Sequence, residues 1–451
     1  MTGIMDTALG APSFRHGVHP REHKEDTRGL AIRQFPFAPM LIMPLRQHLG
    51  APAVPVVRVG QEVARGETIA RPDGFMSVAM HAPASGVVRR IELAPTISGD
   101  MVESVFIEPL PADTQEVDDG EPCRLDNATP EQIMTAIQNA GIVGLGGAAF
   151  PTHAKLRFPD DKHVDTLIIN GVECEPYLTT DHRVMLEQSA DVIAGIRYLV
   201  KATSAVRTII AVEANKPDAV TALSAALPDD LPVDVTVLKV KYPQGAEKIL
   251  IKALLKREVP QGGLPIDVGV ICTNVATTAE IGRLLPRGRG IQERVITIAG
   301  PGVEKKGNYL IPIGTPVRFA LEACGADPDI TRVFMGGPMM GPAVSNLDIP
   351  VTKGTSGILA FTVHETAAIV ERKVYACIHC ARCVESCPVF LNPSHLGLLA
   401  KNEQYEQMAD DHSLYDCFEC GACNYVCPSH IPLVQYFRLA KKMVRKLRAT
   451  H

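Results

Sequence analysis

Eight of the twelve cysteines lie between Cys377 and Cys427, in two runs of one form: Cys377-Ile-His-Cys380-Ala-Arg-Cys383-Val-Glu-Ser-Cys387-Pro388 and Cys417-Phe-Glu-Cys420-Gly-Ala-Cys423-Asn-Tyr-Val-Cys427-Pro428. Three cysteines at three-residue spacing wrap a loop around one corner of an iron–sulfur cubane and present three thiolates. The fourth starts a helix turned away from that cluster and reaches the other motif's cluster instead. The spacing predicts two [4Fe–4S] clusters and hence a carrier of single electrons. One cluster is expected on Cys377, Cys380, Cys383 and Cys427, the second on Cys417, Cys420, Cys423 and Cys387. Zinc is the competing reading, but structural zinc takes four ligands as two pairs, whereas each run brings four cysteines and a trailing proline. Cys123, Cys174, Cys272 and Cys324 are scattered, unlike a disulfide scaffold, which points to a reducing compartment.

Two further loops have chemical potential. Gly144-Leu-Gly-Gly-Ala-Ala-Phe-Pro-Thr-His-Ala-Lys155 is a glycine-rich turn whose N–H groups can bind an anion, with Lys155 adding a charge. It fits neither common nucleotide fingerprint, and a packing turn is the alternative. Asn170-Gly-Val-Glu-Cys-Glu-Pro-Tyr177 follows an apolar strand-like run. Ligands bind beyond strand C-termini in open α/β sheets; a solvated acidic loop is the alternative. His16, His19 and His23 lack the further ligands a metal would need and read as packing or surface residues. Lys441, Lys442, Arg445, Lys446 and Arg448 make a basic end that suits anionic lipid, an acidic partner or a solvated helix face.

These groups must be held by several domains, since 451 residues correspond to roughly three units of about 150. A net charge of −5 excludes a nucleic-acid surface. No stretch approaches the ~20 apolar residues of a spanning helix, and no signal peptide opens the chain, so a cytoplasmic protein is expected unless a partner holds it at a membrane. Short Val/Ile runs broken by glycine from Val54 to Glu92 predict a small β-sandwich or barrel, and Asp113–Glu121 a linker. Thr129-Pro-Glu-Gln132 is a capping box opening a helix. Strands at Asp165–Asn170, Thr208–Glu213, Val233–Val240 and Val268–Thr273 alternate with helices at Asp191–Lys201, Pro217–Leu227 and Ala246–Arg257, which implies a mainly parallel sheet. Residues 291–345 form a compact β-rich unit ending in Met335-Gly-Gly-Pro-Met-Met-Gly341. The cysteine module reads as helical at Ser394–Lys401 and Glu403–Met408, and Leu433–Arg448 as a basic helix.

Phe14-Arg-His-Gly-Val-His-Pro20 with Lys24, the Gly144–Lys155 loop, Asn170–Pro176, Lys241-Tyr-Pro-Gln-Gly-Ala-Glu247 and the paired cysteine runs, in this order over nearly the whole chain, resemble the RnfC family of the Rnf electron-transport complexes. Those are membrane-bound ferredoxin:NAD oxidoreductases coupled to Na+ or H+ movement. The middle of the chain also resembles the FMN- and NADH-binding subunit of respiratory complex I. The resemblance implies a multidomain α/β protein. Its parts would be an N-terminal barrel-sandwich hybrid domain (1–115), an FMN/NADH-binding α/β domain (128–288), an SLBB β-grasp domain (291–345), a helical two-[4Fe–4S] ferredoxin-like domain (366–436) and a basic C-terminal helix (437–451). It implies FMN held by Gly144, Gly146, Gly147 and Lys155, with Asn170, Glu173, Tyr242, Gly245, Thr273 and Asn274 completing the site. Phe150 would stack on the dinucleotide, and Glu175 and Glu247 would line its side. NAD(H) would be substrate; the other Rnf subunits, and through them ferredoxin or flavodoxin, would be partners. The location would be peripheral, on the cytoplasmic face of the bacterial inner membrane. Leu145, Val172 and Ala246 depart from the complex I pattern, replacing a basic residue and two acidic ones. The barrel resembles a biotinyl/lipoyl domain without a lysine at residues 70–80, which predicts a docking surface and not a swinging arm. A cobalamin-reductase-like enzyme shares the flavin loop and cluster pair but not the Phe14–Pro20 motif; an electron wire without NAD binding is the non-catalytic alternative.

Overall fold

The computed structural model describes residues 10–365 and 372–449. The expected domain limits at 1–9, 366–371 and 450–451 lie outside the described residues.

Strand β1 (Ile32–Gln34) precedes the barrel. The barrel pairs a sheet of β2 (Leu41–Pro44), β8 (Met101–Pro109), β7 (Gly86–Pro95) and β4 (Glu62–Val63) with one of β3 (Val54–Pro55), β5 (Thr68–Arg71) and β6 (Met80–His81). Alternating residues point inward, and Ile69, Met80, Val88, Val105 and Ile107 fill the core. The segment that would carry a lipoyl lysine lies against this chain's own α/β domain. Gln138 Nε2 donates to the carbonyls of Gly74 (3.0 Å) and Ser77 (2.9 Å), and His153 Nε2 meets the Phe75 carbonyl at 2.7 Å.

The α/β domain opens with helix α1 (Pro130–Asn139). Thr129 Oγ1 accepts from the Gln132 amide at 3.3 Å and Gln132 Oε1 from the Thr129 amide at 2.8 Å, the expected capping box. There follow α2 (Thr152–Leu156), β9 (Thr166–Gly171), α3 (Thr180–Glu187), α4 (Ser189–Thr203), β10 (Arg207–Glu213), α5 (Pro217–Ala226), β11 (Val233–Leu238), α6 (Glu247–Leu255), β12 (Val270–Asn274) and α7 (Val275–Leu284). The sheet order is β11-β10-β9-β12, all parallel. Helix α7 had no sequence signature because nearly all of it is buried, so it has no polar face to create a 3.6-residue period. It crosses α4 at two glycines: a Cβ on Gly195 would sit 1.9 Å from the Thr278 carbonyl, and one on Gly282 2.0 Å from that of Asp191.

The β-grasp unit contains β13 (Glu293–Ala299), β14 (Gly307–Pro312), α8 (Val317–Ala323), β15 (Ile330–Met335) and β16 (Gly357–Thr362), with sheet order β1-β14-β13-β16-β15. The sheet extends past the expected limit at 345. The sheet continues through β16, which lies beside β13, and gains β1 at its edge, so 32–34 belongs to this sheet and not to the barrel. Both pairings join strands distant in sequence, which no local pattern reports.

The cluster domain holds α9 (Arg382–Ser386), α10 (Pro393–Lys401), α11 (Tyr405–Asp410), α12 (Ala422–Val426) and α13 (Leu433–Ala449). The expected boundary between 436 and 437 cuts α13, whose stripe Leu433, Val434, Phe437, Ala440 and Val444 is buried in this domain.

Residues 12–27 run as a strap between the α/β and cluster domains. Val18 and Tyr242 exchange backbone hydrogen bonds (2.9 and 3.0 Å), the Gly17 amide donates to the Ser386 carbonyl (3.1 Å), and His16 Nδ1 lies 3.2 Å from the Cys387 carbonyl. Buried Lys353 ties three domains, its Nζ donating to the carbonyls of Ala79 (2.7 Å) and Gly141 (2.8 Å).

Candidate functional site

The two cysteine runs fold alike. His379 and Glu419 precede the second cysteine, Ala381 and Gly421 follow it, and all four have left-handed backbone, with φ of 54°, 63°, 60° and 80°. Phe390 and His430, three residues after each fourth cysteine, match likewise at 58° and 52°. These turns curl the thiols inward around two cavities. Cys377, Cys380, Cys383 and Cys427 line the first; Cys387, Cys417, Cys420 and Cys423 line the second. Each cavity thus takes three thiols from one run and one from the other. Among the described residues no three His, Cys, Asp or Glu side chains converge on a single metal ion, whereas zinc would need its sulfurs within about 2.3 Å of one point. The donor set fits a polynuclear cluster. Burial pushes the Cys420 thiol up to about 12 and raises Cys387, Cys417 and Cys423 too, so their thiolates need the positive charge of iron to be stable. The first cavity is at the surface, with Cys380 exposed and Ile378 66 % exposed. The second is covered. Tyr242, Val18 and Met339 pack on Cys420 and Ala422, and the Met339 carbonyl would meet a Cβ on Gly421 at 2.6 Å.

The other candidate site lies in the α/β sheet. From β9 the chain proceeds to β10 and β11 on one side, then returns to β12 on the other. The topological switch, where ligands bind in such sheets, is therefore between β9 and β12. Asn170 is the last residue but one of β9; its Nδ2 donates to the Gly245 carbonyl at 2.9 Å. Thr273, the last but one of β12, is buried, and its hydroxyl has no hydrogen-bond partner. The glycine loop stands above. The Gly144 amide donates to the Phe150 carbonyl (2.9 Å) and the Leu145 amide to Thr277 Oγ1 (2.8 Å), while Gly146, Gly147 and Ala148 are exposed. A Cβ on Gly146 would lie 2.9 Å from Asn274 Nδ2 and press on that capping side chain. Phe150 is half-buried where the loop ends. Lys155 pairs with Glu247 and donates to the Cys272 carbonyl at 2.6 Å. Burial opposes its charge, but Glu247 more than offsets this and holds the lysine pKa above its usual value. Asn274 caps α7, accepting from Ala276 (3.0 Å) and Thr277 (3.2 Å), and donates to Asp181 at 2.8 Å. An orphaned buried hydroxyl, a cation and an exposed glycine loop at the switch point fit an anionic, polyhydroxylated ligand such as FMN.

Three of the expected site residues are engaged with other groups of this chain. Glu173 is buried, accepts from the amides of Asp181 (2.8 Å) and His182 (3.4 Å) at the start of α3, and pairs with Lys24. The Glu175 carboxylate accepts from the amides of Met339 (3.1 Å) and Met340 (2.9 Å), and the Tyr242 hydroxyl oxygen lies 3.3 Å from its Oε1. Tyr242 donates to the Cys420 carbonyl at 2.6 Å. Each side chain satisfies backbone groups of this chain: Glu173 the start of α3 within the same domain, Glu175 the Met339–Met340 turn, and Tyr242 the Cys420 carbonyl. Asp181, Thr277, Arg294 and Lys353 were not found from the sequence. Their importance comes from distant partners, and none belongs to a motif.

Four family models match the chain: the RnfC barrel sandwich hybrid domain over residues 12–111, the Nuo51 FMN-binding domain over 137–283, the SLBB domain over 295–343 and the 4Fe-4S dicluster domain over 373–431. The RnfC protein of the proton-translocating ferredoxin:NAD(+) oxidoreductase complex of Clostridium ljungdahlii is 42 % identical over 432 residues, covering 95 % of this chain and 93 % of that one. Its counterpart in the Na(+)-translocating complex of Acetobacterium woodii is 40 % identical over 433 residues, covering 96 % and 97 %. The counterpart in the ion-translocating oxidoreductase complex of Pseudomonas aeruginosa is 41 % identical over 97 % of this chain, which spans 56 % of that longer protein. Among solved structures, an NAD+-reducing [NiFe]-hydrogenase in the air-oxidized state shares the fold, with TM-score 0.52 and 20 % identity over 72 % of this chain and 68 % of that one.

Proposed function

The chain belongs to the RnfC family of ion-translocating ferredoxin:NAD(+) oxidoreductase complexes, and from that premise we propose that it exchanges electrons between NAD(H) and the rest of such a complex. Its cofactors are FMN and two [4Fe–4S] clusters. FMN, when bound, supplies the conversion between a two-electron hydride and single electrons, which neither NAD(H) nor a cluster performs. In this reading Gly146, Gly147, Thr273, Asn170 and Lys155 hold the flavin, while the eight thiols hold the clusters in the crossed pattern.

The loop Lys241–Glu247 is the observation that carries the proposal. Gly245 accepts from Asn170 at the crevice, and three residues earlier Tyr242 donates to Cys420 in the second cavity. This short connection supports an order of crevice, second cavity, first cavity, with the exposed first cavity facing the next carrier. None of the described helices is long and apolar enough to cross a membrane. That supports a peripheral protein, which we assign to the cytoplasmic face of the bacterial inner membrane, held there by other members of the complex. Anaerobic NADH should bleach the flavin of the purified full chain and then bring up the paramagnetic signals of reduced clusters. Clusters reducible by dithionite but a flavin untouched by NADH would return the chain to an electron wire without a dinucleotide site.

A further inference from the structure

Arg294, on β13 of the β-grasp sheet, is 1 % exposed. Its guanidinium donates to three backbone carbonyls, those of Val295 (3.3 Å), Lys353 and Leu145 (3.2 Å). Among the described residues no carboxylate lies within ion-pair distance of it; Asp181 and Glu280 act only from farther away. Burial lowers its pKa to about 10, so it stays charged at neutral pH. A buried cation without a counter-ion is costly unless something nearby benefits from its charge.

The position of the Leu145 carbonyl shows what benefits. The Leu145–Gly146 peptide is trans, so its carbonyl and its N–H point to opposite sides. The carbonyl points inward to Arg294. The Gly146 N–H of the same peptide therefore points outward, on the exposed side of the glycine loop. A guanidinium bound to the carbonyl polarises the peptide and makes its N–H face more positive. Lys155, the other cation near the loop, shares its charge with Glu247.

We propose that Arg294 is the cation of the flavin phosphate site, contributed by the β-grasp domain from behind the loop and acting through the Leu145–Gly146 peptide. It is a positioning residue that never touches the ligand, and the proposal rests on the flavin reading above. It gives the β-grasp domain a role in flavin affinity.

The test compares FMN with riboflavin, which lacks only the phosphate, by fluorescence quenching on the flavin-depleted full chain with its clusters intact. Arg294→Met should weaken FMN binding about tenfold to a hundredfold and change riboflavin binding by less than about threefold. Thr277→Val, which loosens the loop without altering charge, should weaken both ligands alike. Equal loss of both in Arg294→Met, or loss of neither, overturns the proposal. If Arg294→Met fails to incorporate clusters, Arg294→Lys decides. A retained FMN-to-riboflavin preference supports the charge role, and a preference lost although the charge remains overturns it. Wild-type protein that binds neither ligand overturns the flavin reading and this proposal with it; wild-type binding followed by equal losses overturns the arginine's role alone.

Discussion

The Tyr242 hydroxyl donates a 2.6 Å hydrogen bond to the carbonyl of Cys420, and so joins the α/β domain to a residue of the second cysteine cavity. The phenol is 1 % exposed, and Glu175 Oε1 lies 3.3 Å away. Tyr242→Phe removes one bond worth about 1 kcal/mol and leaves the Cys420 carbonyl without it. Flavin bleaching by NADH should be unchanged, while transfer onward to the clusters slows about fivefold and the second cluster's potential falls. Stopped-flow spectroscopy and a redox titration read the two steps separately; an equal slowing of both would sink the idea.

The cavities predict crossed losses. Cys387→Ser should remove the cluster bounded by Cys417, Cys420 and Cys423, although it lies in the other run, and Cys427→Ser the cluster bounded by Cys377, Cys380 and Cys383. Each variant should keep about four of about eight iron atoms, with complementary paramagnetic signals. If each abolished its own run's cluster, the ligand assignment would be wrong.

Gly245 lies where no side chain fits. A Cβ there would sit 2.3 Å from the Val172 carbonyl, so Gly245→Ala must displace the loop that serves both sites. Destabilisation of about 1–3 kcal/mol is expected, together with weaker flavin binding. Thermal unfolding and flavin retention check both, and an unaltered protein would show that the loop yields freely.

Lys353 makes stability depend on pH. Its two carbonyl partners match the two donors of a neutral amine, while the ammonium brings a third N–H. Burial lowers its pKa from 10.5 to about 7. Between these values the unfolded chain binds the proton and the folded chain does not, so this residue's contribution is least below pH 7 and grows as pH rises toward 10.5. Relative to Lys353→Met, the wild type should gain on the order of 1 kcal/mol per pH unit across that window. A difference between the two that does not vary with pH would count against a neutral amine.

The cysteine spacing, the capping box at Thr129 and the strand–helix alternation were legible because each is local: a ligand interval, a hydrogen bond over three residues, a period. What joins the chain beyond 345 and across 437 was not legible, for the opposite reason. Strand β16 finds its partner across the chain, and α13 continues a helix whose apolar stripe is already engaged at Leu433. Glu173, Glu175 and Tyr242 lie in recognisable motifs, yet sequence gives no direction to a side chain. Here backbone groups of α3, of Met339 and Met340 and of Cys420 take those same atoms as partners. Arg294 and Lys353 were invisible, since each side chain has only backbone carbonyl partners, among them Leu145 for Arg294 and Ala79 and Gly141 for Lys353, which other domains contribute.

The strap also orders the protein's maturation. Gly17 is made early in synthesis, but its partner Ser386 is made late, so the joint closes only after the cysteine module has emerged. With His16, Val18, Tyr242 and Met339 in place, the inner cup is covered on that side and the outer one is not. A chelator applied to the finished protein should therefore strip iron in two phases, the Cys377 side first.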